Sequence, residues 1–244
     1  PEVHVVACEE NLGVAGWRNA AGCRAIELWE PAYLLFLDND MAVEPDFVAE
    51  LARPLDEEPA IGQTQAKLLQ MSDPDRIDDG GGVRIAWWRG GTVPVGFGEL
   101  DRGQYDEEKP CMACCGGAMM VRASIFDAID GFDESFNPYG PEDLDFSLRV
   151  LAAGHRNLYV PTAVAYHAGT HTFGAGYTEA YARKKVKSWF RLLRRHAGPL
   201  QRLGFYLVGG PLSVLSISWR EARRGNFTAA VGAVREALRI LRPG

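Results

Sequence analysis

Hydrophobic and polar positions along this chain follow two different periods. "YLLFLD", residues 33–38, is an unbroken apolar run closed by an acid, the pattern of a strand buried on both faces. A shorter run, Val3–Ala7, and "AIGQTQAKLL", residues 60–69, also read as strands. Between them the period lengthens. "NLGVAGWRNAAGCRAIELWE", residues 11–30, sets Trp17, Ala21, Ala25 and Leu28 at helical spacing. "EPDFVAELARPL", residues 44–55, predicts a helix with Pro45 near its first turn. This alternation predicts an α/β fold with a mainly parallel central sheet flanked by helices.

The pattern weakens over residues 72–110, which are rich in Gly, Asp and Arg and predict an irregular stretch. "CMACCGGAMMVRAS" then predicts a buried strand, and "SIFDAIDG" a short helix stopped by Gly131. "PEDLDFSLRVLAAG", residues 141–154, predicts a helix opened by Pro141 and closed by Gly154, with Leu144, Leu148 and Leu151 as its buried stripe. "RNLYVP" and "AVAYH" predict two short strands that close a first domain, residues 1–180. Residues 181–244 predict a helical extension of another character. "YARKKVKSWFRLLRRHAGP" mixes bases with Val186, Trp189, Phe190, Leu192 and Leu193. Residues 203–219 carry no charge but are interrupted by Gly209, Gly210 and Pro211, so an interfacial or re-entrant segment is expected rather than a spanning helix. Residues 228–241 predict a last basic amphipathic helix.

Charge sharpens the division. The net charge of −6 is the sum of −18 over residues 1–180 and +12 over residues 181–244. A basic tail on an acidic body predicts peripheral contact of the tail with an anionic lipid surface; packing on the first domain or a dimer interface is the alternative. No nucleic-acid partner is expected. The five cysteines lack a second ligand pair at zinc spacing and read as small buried thiols of a protein in a reducing cytoplasm, at the inner face of a membrane if the tail binds one.

The candidate chemistry is acidic. Asp38 and Asp40, two residues apart at a strand end, suit a hard divalent cation and the phosphates it carries; they are also ordinary turn residues. Glu142, Asp143 and Asp145 open a helix, where acids complement the dipole, yet one of them is placed to act as a general base. Arg149 pairs with Asp145 at i+4 as a structural contact. His167 and His171 end another strand.

Taken in order, N-x-G-x-x-x-x-x-N, "LLFLDND", "GGAMMVRASIF", "GFDESFNPYGPEDLDFSLR" and an isolated histidine resemble the family 2 glycosyltransferases of the GT-A fold, nearest to rhamnosyltransferase-like and galactofuranosyltransferase-like members. The resemblance spans residues 3 to 171. It implies donor binding by Asn11, Gly13, Asn19, Asp38, Asp40 and Gly117, with Gly116 and Gly117 letting a ligand approach the backbone. It implies a Mg²⁺ or Mn²⁺ ion held by Asp40, His167 and Asp38, with Asp143 as catalytic base and Glu142 positioning base or acceptor. The donor would be a dTDP-, UDP- or GDP-linked sugar, and the reaction an inverting displacement onto a hydroxyl of a glycan or lipid-linked acceptor in cell-envelope polysaccharide synthesis. Trp87 and Trp88, with Tyr105, are expected to face the acceptor. The family's opening strand and nucleobase loop are expected to be missing ahead of Pro1. A nucleotidyltransferase and a non-catalytic nucleotide- or glycan-binding fragment are the alternatives.

Overall fold

The computed structural model describes residues 3–88, 90–138, 140–169 and 178–241. His171 lies outside the described residues. The chain forms two compact units, Pro1–Arg84 with Pro94–Gly169, and Ile85–Val93 with Thr170–Gly244. The segment Ile85–Val93, read from sequence as part of the first domain, belongs with the second unit.

In the first unit the chain runs α1 (Gly13–Trp29), β1 (Tyr33–Leu37), β2 (Met41–Val43), α2 (Phe47–Glu57), β3 (Ile61–Gln70) and β4 (Asp73–Asp79); β5 (Val83–Ala86) and β6 (Gly91–Pro94) pair as a two-stranded sheet that lies mostly within the Ile85–Val93 segment of the second unit. Then come β7 (Lys109–Cys111), β8 (Ala118–Arg122), α3 (Ala123–Ala128), a 3₁₀ turn at Glu134–Phe136, α4 (Glu142–Ala152) and β9 (Arg156–His167). The sheet order is β1-β8-β3-β9-β2, with β4 beside β3 and β7 beside β9.

Alternation along β8 shows how the sheet is buried on both sides. Met119 and Val121 join Leu34, Phe36, Phe126, Phe132, Phe146 and Val150 on one face, under α1, α3 and α4. Ala118 and Met120 join Phe47, Leu51, Leu55, Leu68 and Val160 on the other, under α2. The period-2 geometry of a strand requires this division. Phe132 and Phe146 stack at 4.4 Å, with Phe36 edge-on to Phe132 at 5.1 Å.

The sheet is mixed, which corrects the expectation of a mainly parallel one. Of the neighbours described, only β3 and β9 run parallel; β1–β8, β3–β8 and β2–β9 are antiparallel. The reason lies in the connections. β1 passes to β2 through Asp38–Asp40 without a helix, and the route from β3 to β8 is a β-rich excursion rather than a helical crossover. Residues 72–110 therefore hold strands β4 to β6 and the start of β7, not the irregular stretch expected.

Four local expectations change as well. Val3 and Val5 are exposed and residues 3–8 join no ladder, so the predicted first strand is absent among the described residues; its backbone groups find no partner strand. The buried face of α1 is Gly13, Ala15, Gly16 and Gly22 rather than a stripe through Trp17. A Cβ on Gly22 would sit 2.9 Å from the Phe126 ring, so the close helix–sheet approach selects glycine. In α4, Leu144 is buried as expected, but Phe146 and Val150 complete the stripe in place of Leu148 and Leu151. Finally, the two predicted closing strands are one, β9. Its register against β3 jumps from Val160 to Val164, leaving Pro161, Thr162 and Ala163 looped out. Pro161, with no N–H to donate, explains the bulge.

In the second unit α5 (Glu179–His196), α6 (Pro199–Gly204), a π-helical turn (Phe205–Gly209), α7 (Gly210–Arg223) and α8 (Phe227–Leu241) follow one another. Their core holds Val186, Phe190, Leu193, Phe205, Val214, Ala229 and Ala233, with Trp87 packed against it. No described helix is long and apolar enough to cross a membrane.

Candidate active site

The opening acids stand where a strand gives way to a turn. β1 ends at Leu37, and the Asp38 amide donates to the Gly117 carbonyl at 2.9 Å. Two residues on, Ala168 N–H donates to the Asp40 carbonyl at 3.0 Å. Those backbone bonds carry the Asp-x-Asp segment across the start of β8 to the end of β9. There His167 Nε2 lies 3.5 Å from an Asp40 carboxylate oxygen. The other ring nitrogen, Nδ1, is 2.8 Å from Asp78 Oδ2, and that hydrogen bond raises the His167 pKa. A carboxylate on Nδ1 fixes the imidazole and turns Nε2 toward Asp40.

The second acidic cluster is wired to the first by one cation. Arg18, on α1, donates from one guanidinium nitrogen to Glu142 Oε1 at 3.1 Å and from the other to Asp38 Oδ1 at 3.1 Å and the Gly116 carbonyl at 2.8 Å. Its guanidinium lies 5.4 Å over the Phe132 ring. Gly116 N–H in turn donates to Asp143 Oδ2 at 3.0 Å, and Leu144 N–H to Asp143 Oδ1 at 2.8 Å. Asp38, Asp40, His167, Gly116, Gly117, Glu142 and Asp143 thus form one connected set although they come from four separate parts of the chain.

Gly116 and Gly117 are crowded by the protein itself. A Cβ on Gly116 would lie 2.6 Å from the Arg18 guanidinium, and one on Gly117 2.5 Å from the Met41 methyl.

Burial sets the protonation chemistry of the pair. It is the main cause that pushes Glu142 up to about 7, with the Asp143 charge adding and the Arg18 charge opposing. Asp143 is raised by burial too, against Arg18 and the two amides that favour its anion. Nearby, Asp79 is buried and pushed up to about 6, although it accepts from Gly81 and Gly82 N–H.

The remaining sequence candidates have other partners. Asn19 accepts from Phe132 N–H at 2.7 Å and donates to the Phe132 carbonyl and to Glu134, clamping α1 to the loop before the 3₁₀ turn. Asn11 accepts from Gly13 N–H at 2.9 Å, where Gly13 takes φ +70° against Asn137. Arg149 pairs with Asp145 at 2.8 Å as expected, and also donates to the Ile129 and Gly131 carbonyls. Tyr105 donates to Glu99. Trp88 is exposed in the second unit. Cys111 and Cys114 approach to 3.8 Å, but no group of three or more His, Cys, Asp or Glu among the described residues is arranged to hold a metal alone.

Two residues of this set escaped the sequence reading. Arg18 is the one base in "NLGVAGWRNAAG", and Asp78 opens "DDGGG" in the stretch read as irregular.

The buried ion pair makes a stability prediction. Arg18 and Glu142 side chains are 11% and 8% exposed, so removing one partner strands the other. Arg18→Ala is expected to cost about 3 kcal/mol in denaturant unfolding at pH 8, and adding Glu142→Gln to recover more than half of it. Equal losses in the single and double variants would contradict the pairing.

A pH prediction follows from Glu142. Its folded pKa, about 7, lies above its ordinary 4.5, so its contribution to stability is full below pH 4.5 and is lost as pH rises through 7. The stability difference between Glu142→Gln and wild type is expected to shift by about 3 kcal/mol toward the variant between pH 4 and pH 8. A flat difference would contradict the raised value.

Residues 1–191 match the family described as "Glycosyltransferase like family 2". The chain is 40% identical over 82 residues to rhamnosyltransferase WbbL of Escherichia coli, and 33% identical over 91 residues to an N-acetylglucosaminyl-diphospho-decaprenol L-rhamnosyltransferase of Mycobacterium tuberculosis. These matches take in 34% and 37% of this chain and only 30% and 29% of the relatives' lengths. Among solved structures, GalNAc-T7 with UDP, GalNAc and Mn²⁺ superposes with a TM-score of 0.59 at 17% identity, over 77% of this chain and 35% of that one. The mannosyltransferase PcManGT of Pyrobaculum calidifontis, with GDP-Man and Mn²⁺, gives 0.51 at 16% identity, over 96% and 62%. These two likenesses carry the GT-A fold. The family match over most of the length, joined to that fold and to one connected acidic site, makes the chain a member of the family 2 glycosyltransferases.

Proposed function

We propose that this chain is the catalytic unit of a metal-dependent inverting glycosyltransferase that moves a sugar from a nucleoside-diphosphate donor to an acceptor hydroxyl. The observation that carries this reading is Arg18, which joins Asp38 of the Asp-x-Asp segment to Glu142 beside Asp143. It sets a leaving-group side next to a base side.

Asp40 and His167 fit a divalent ion. They offer one carboxylate and one imidazole, the imidazole held by Asp78, which suits Mn²⁺ or Mg²⁺ completed by phosphate oxygens and water. When bound, the ion supplies charge neutralisation for the departing diphosphate. Asp38 faces the donor's ribose or sugar. Asp143 takes the proton of the acceptor hydroxyl as its oxygen bonds to the anomeric carbon; the bond to the diphosphate breaks with its electron pair on the phosphate. Gly116 and Leu144 amides hold the Asp143 carboxylate in place, and Arg18 offsets the charge that Glu142 and Asp143 would otherwise concentrate.

Deoxyhexose transfer onto a lipid-linked sugar is the favoured substrate reading, because the names of two relatives describe rhamnosyl transfer, one of them onto N-acetylglucosaminyl-diphospho-decaprenol. The test is a donor panel of dTDP-, UDP- and GDP-sugars with Mn²⁺ and a lipid-diphosphate-linked N-acetylglucosamine acceptor. Release of nucleoside diphosphate with loss of donor sugar supports the reading. Release of pyrophosphate from a parallel mixture of nucleoside triphosphate and sugar 1-phosphate would instead mark a nucleotidyltransferase, and binding without turnover in either mixture a non-catalytic unit.

A further inference from the structure

The second unit leaves a large apolar surface uncovered. Along α6, the π-helical turn and α7, Leu200, Leu203, Leu207, Leu212, Leu215 and Trp219 are exposed at intervals of three to five residues, the spacing of one helical face. Leu207, Leu215 and Trp219 are 69%, 62% and 67% exposed. A second row, Phe227, Val231, Val234 and Leu238, runs along α8. The two rows meet: Leu212, Leu215 and Trp219 of α7 line a groove of about 870 Å³ together with Val231 and Val234 of α8. Isolated exposed apolar residues are ordinary, but a contiguous patch of this extent marks an interaction face.

Charge says what covers it. Between residues 199 and 241 the only acids are Glu221 and Glu236, and both are buried. Glu221 is paired with Arg220 at 3.1 Å, and Glu236 with Arg183 at 3.3 Å. Arg220, Arg223, Arg224, Arg235 and Arg239 are exposed. Arg223 lies 5.4 Å over the Trp219 ring at the edge of the apolar face. The patch is therefore rimmed by positive charge with its negative partners turned inward. A second copy of the same face would set like charges against like. Anionic lipid headgroups complement the rim, hydrocarbon accepts the Leu and Val rows, and Trp219 has the amphipathic ring that favours the boundary between them.

We infer that α6, α7 and α8 dock flat on an anionic bilayer, with the groove face sunk into the headgroup boundary. No described helix is long and apolar enough to cross, so these helices lie in the interface. The inference rests on this surface alone and stands whether or not the transfer reaction does.

The test is flotation of the purified chain with vesicles of phosphatidylcholine alone, or with a third of the lipid as phosphatidylglycerol. The chain is expected to float with the phosphatidylglycerol vesicles, to stay behind with phosphatidylcholine alone, and to be released by high salt. Leu215→Glu with Trp219→Glu is expected to abolish flotation. Arg223→Glu with Arg224→Glu is expected to weaken partitioning about tenfold or more. These side chains are exposed, so thermal unfolding monitors that each variant folds. Should one fail to fold, tryptophan quenching of the wild type by brominated lipid replaces it, with the quenching expected to drop in Trp219→Phe. Flotation with neither vesicle overturns the inference, as does flotation or quenching untouched by the substitutions. Self-association lost on Leu215→Glu with Trp219→Glu, without vesicle binding, would assign the face to a second copy instead.

Discussion

Asp143→Asn is expected to lower kcat for sugar transfer about 10²–10⁴-fold while nucleoside diphosphate binds as in wild type. The asparagine carbonyl can still accept from the Gly116 or Leu144 amide, which hold the carboxylate at 3.0 and 2.8 Å, so the loop keeps its shape. What is lost is the group that receives the acceptor proton. Initial rates give the first part and calorimetry with nucleoside diphosphate and Mn²⁺ the second. A variant that keeps more than about a tenth of wild-type kcat would remove Asp143 from the role of general base. Equal loss in rate and in diphosphate affinity would mean that the substitution had disturbed the donor side through Arg18.

The other large effect belongs to the opposite end of the site. Asp40→Ala is expected to abolish Mn²⁺-dependent binding of nucleoside diphosphate, since it removes the carboxylate that lies 3.5 Å from His167 Nε2. Asp78→Asn probes the same centre more finely. Asp78 does not face Asp40's partner nitrogen; it holds Nδ1 at 2.8 Å. Loss of such an orienting carboxylate typically costs 10–100-fold in metal affinity. The expected order is therefore wild type, then Asp78→Asn, then Asp40→Ala, measured as Mn²⁺ affinity in the presence of diphosphate. Asp78→Asn binding as tightly as wild type would show that the His167 orientation does not matter to the ion.

What the sequence made legible follows from where the partners lie. The Asp-x-Asp turn, the Glu142–Asp143 helix start and the strand ending in His167 are local patterns, and each sits on the element its periodicity predicts. Arg18 and Asp78 are of another kind. Arg18 finds Glu142 across 124 positions and Asp78 finds His167 across 89; neither carries a local signature, so only the fold reveals them. The same distance effect explains the sheet. Strand direction is set by connections, and a helix-sized gap between β3 and β8 proved to hold strands. The burial of α1 was misread because its core face is built of Gly and Ala, whose contribution is closeness of approach rather than apolar area. Asn19, legible as part of the family pattern, spends its side chain on the Phe132 loop.

The most direct test of a metal centre formed by Asp40 and His167 is electron spin-echo spectroscopy of Mn²⁺ bound to the chain with nucleoside diphosphate. The proposed site predicts ¹⁴N modulation from a directly bound imidazole, present in wild type and absent in His167→Gln. No nitrogen modulation in wild type, or modulation that survives His167→Gln, would contradict it.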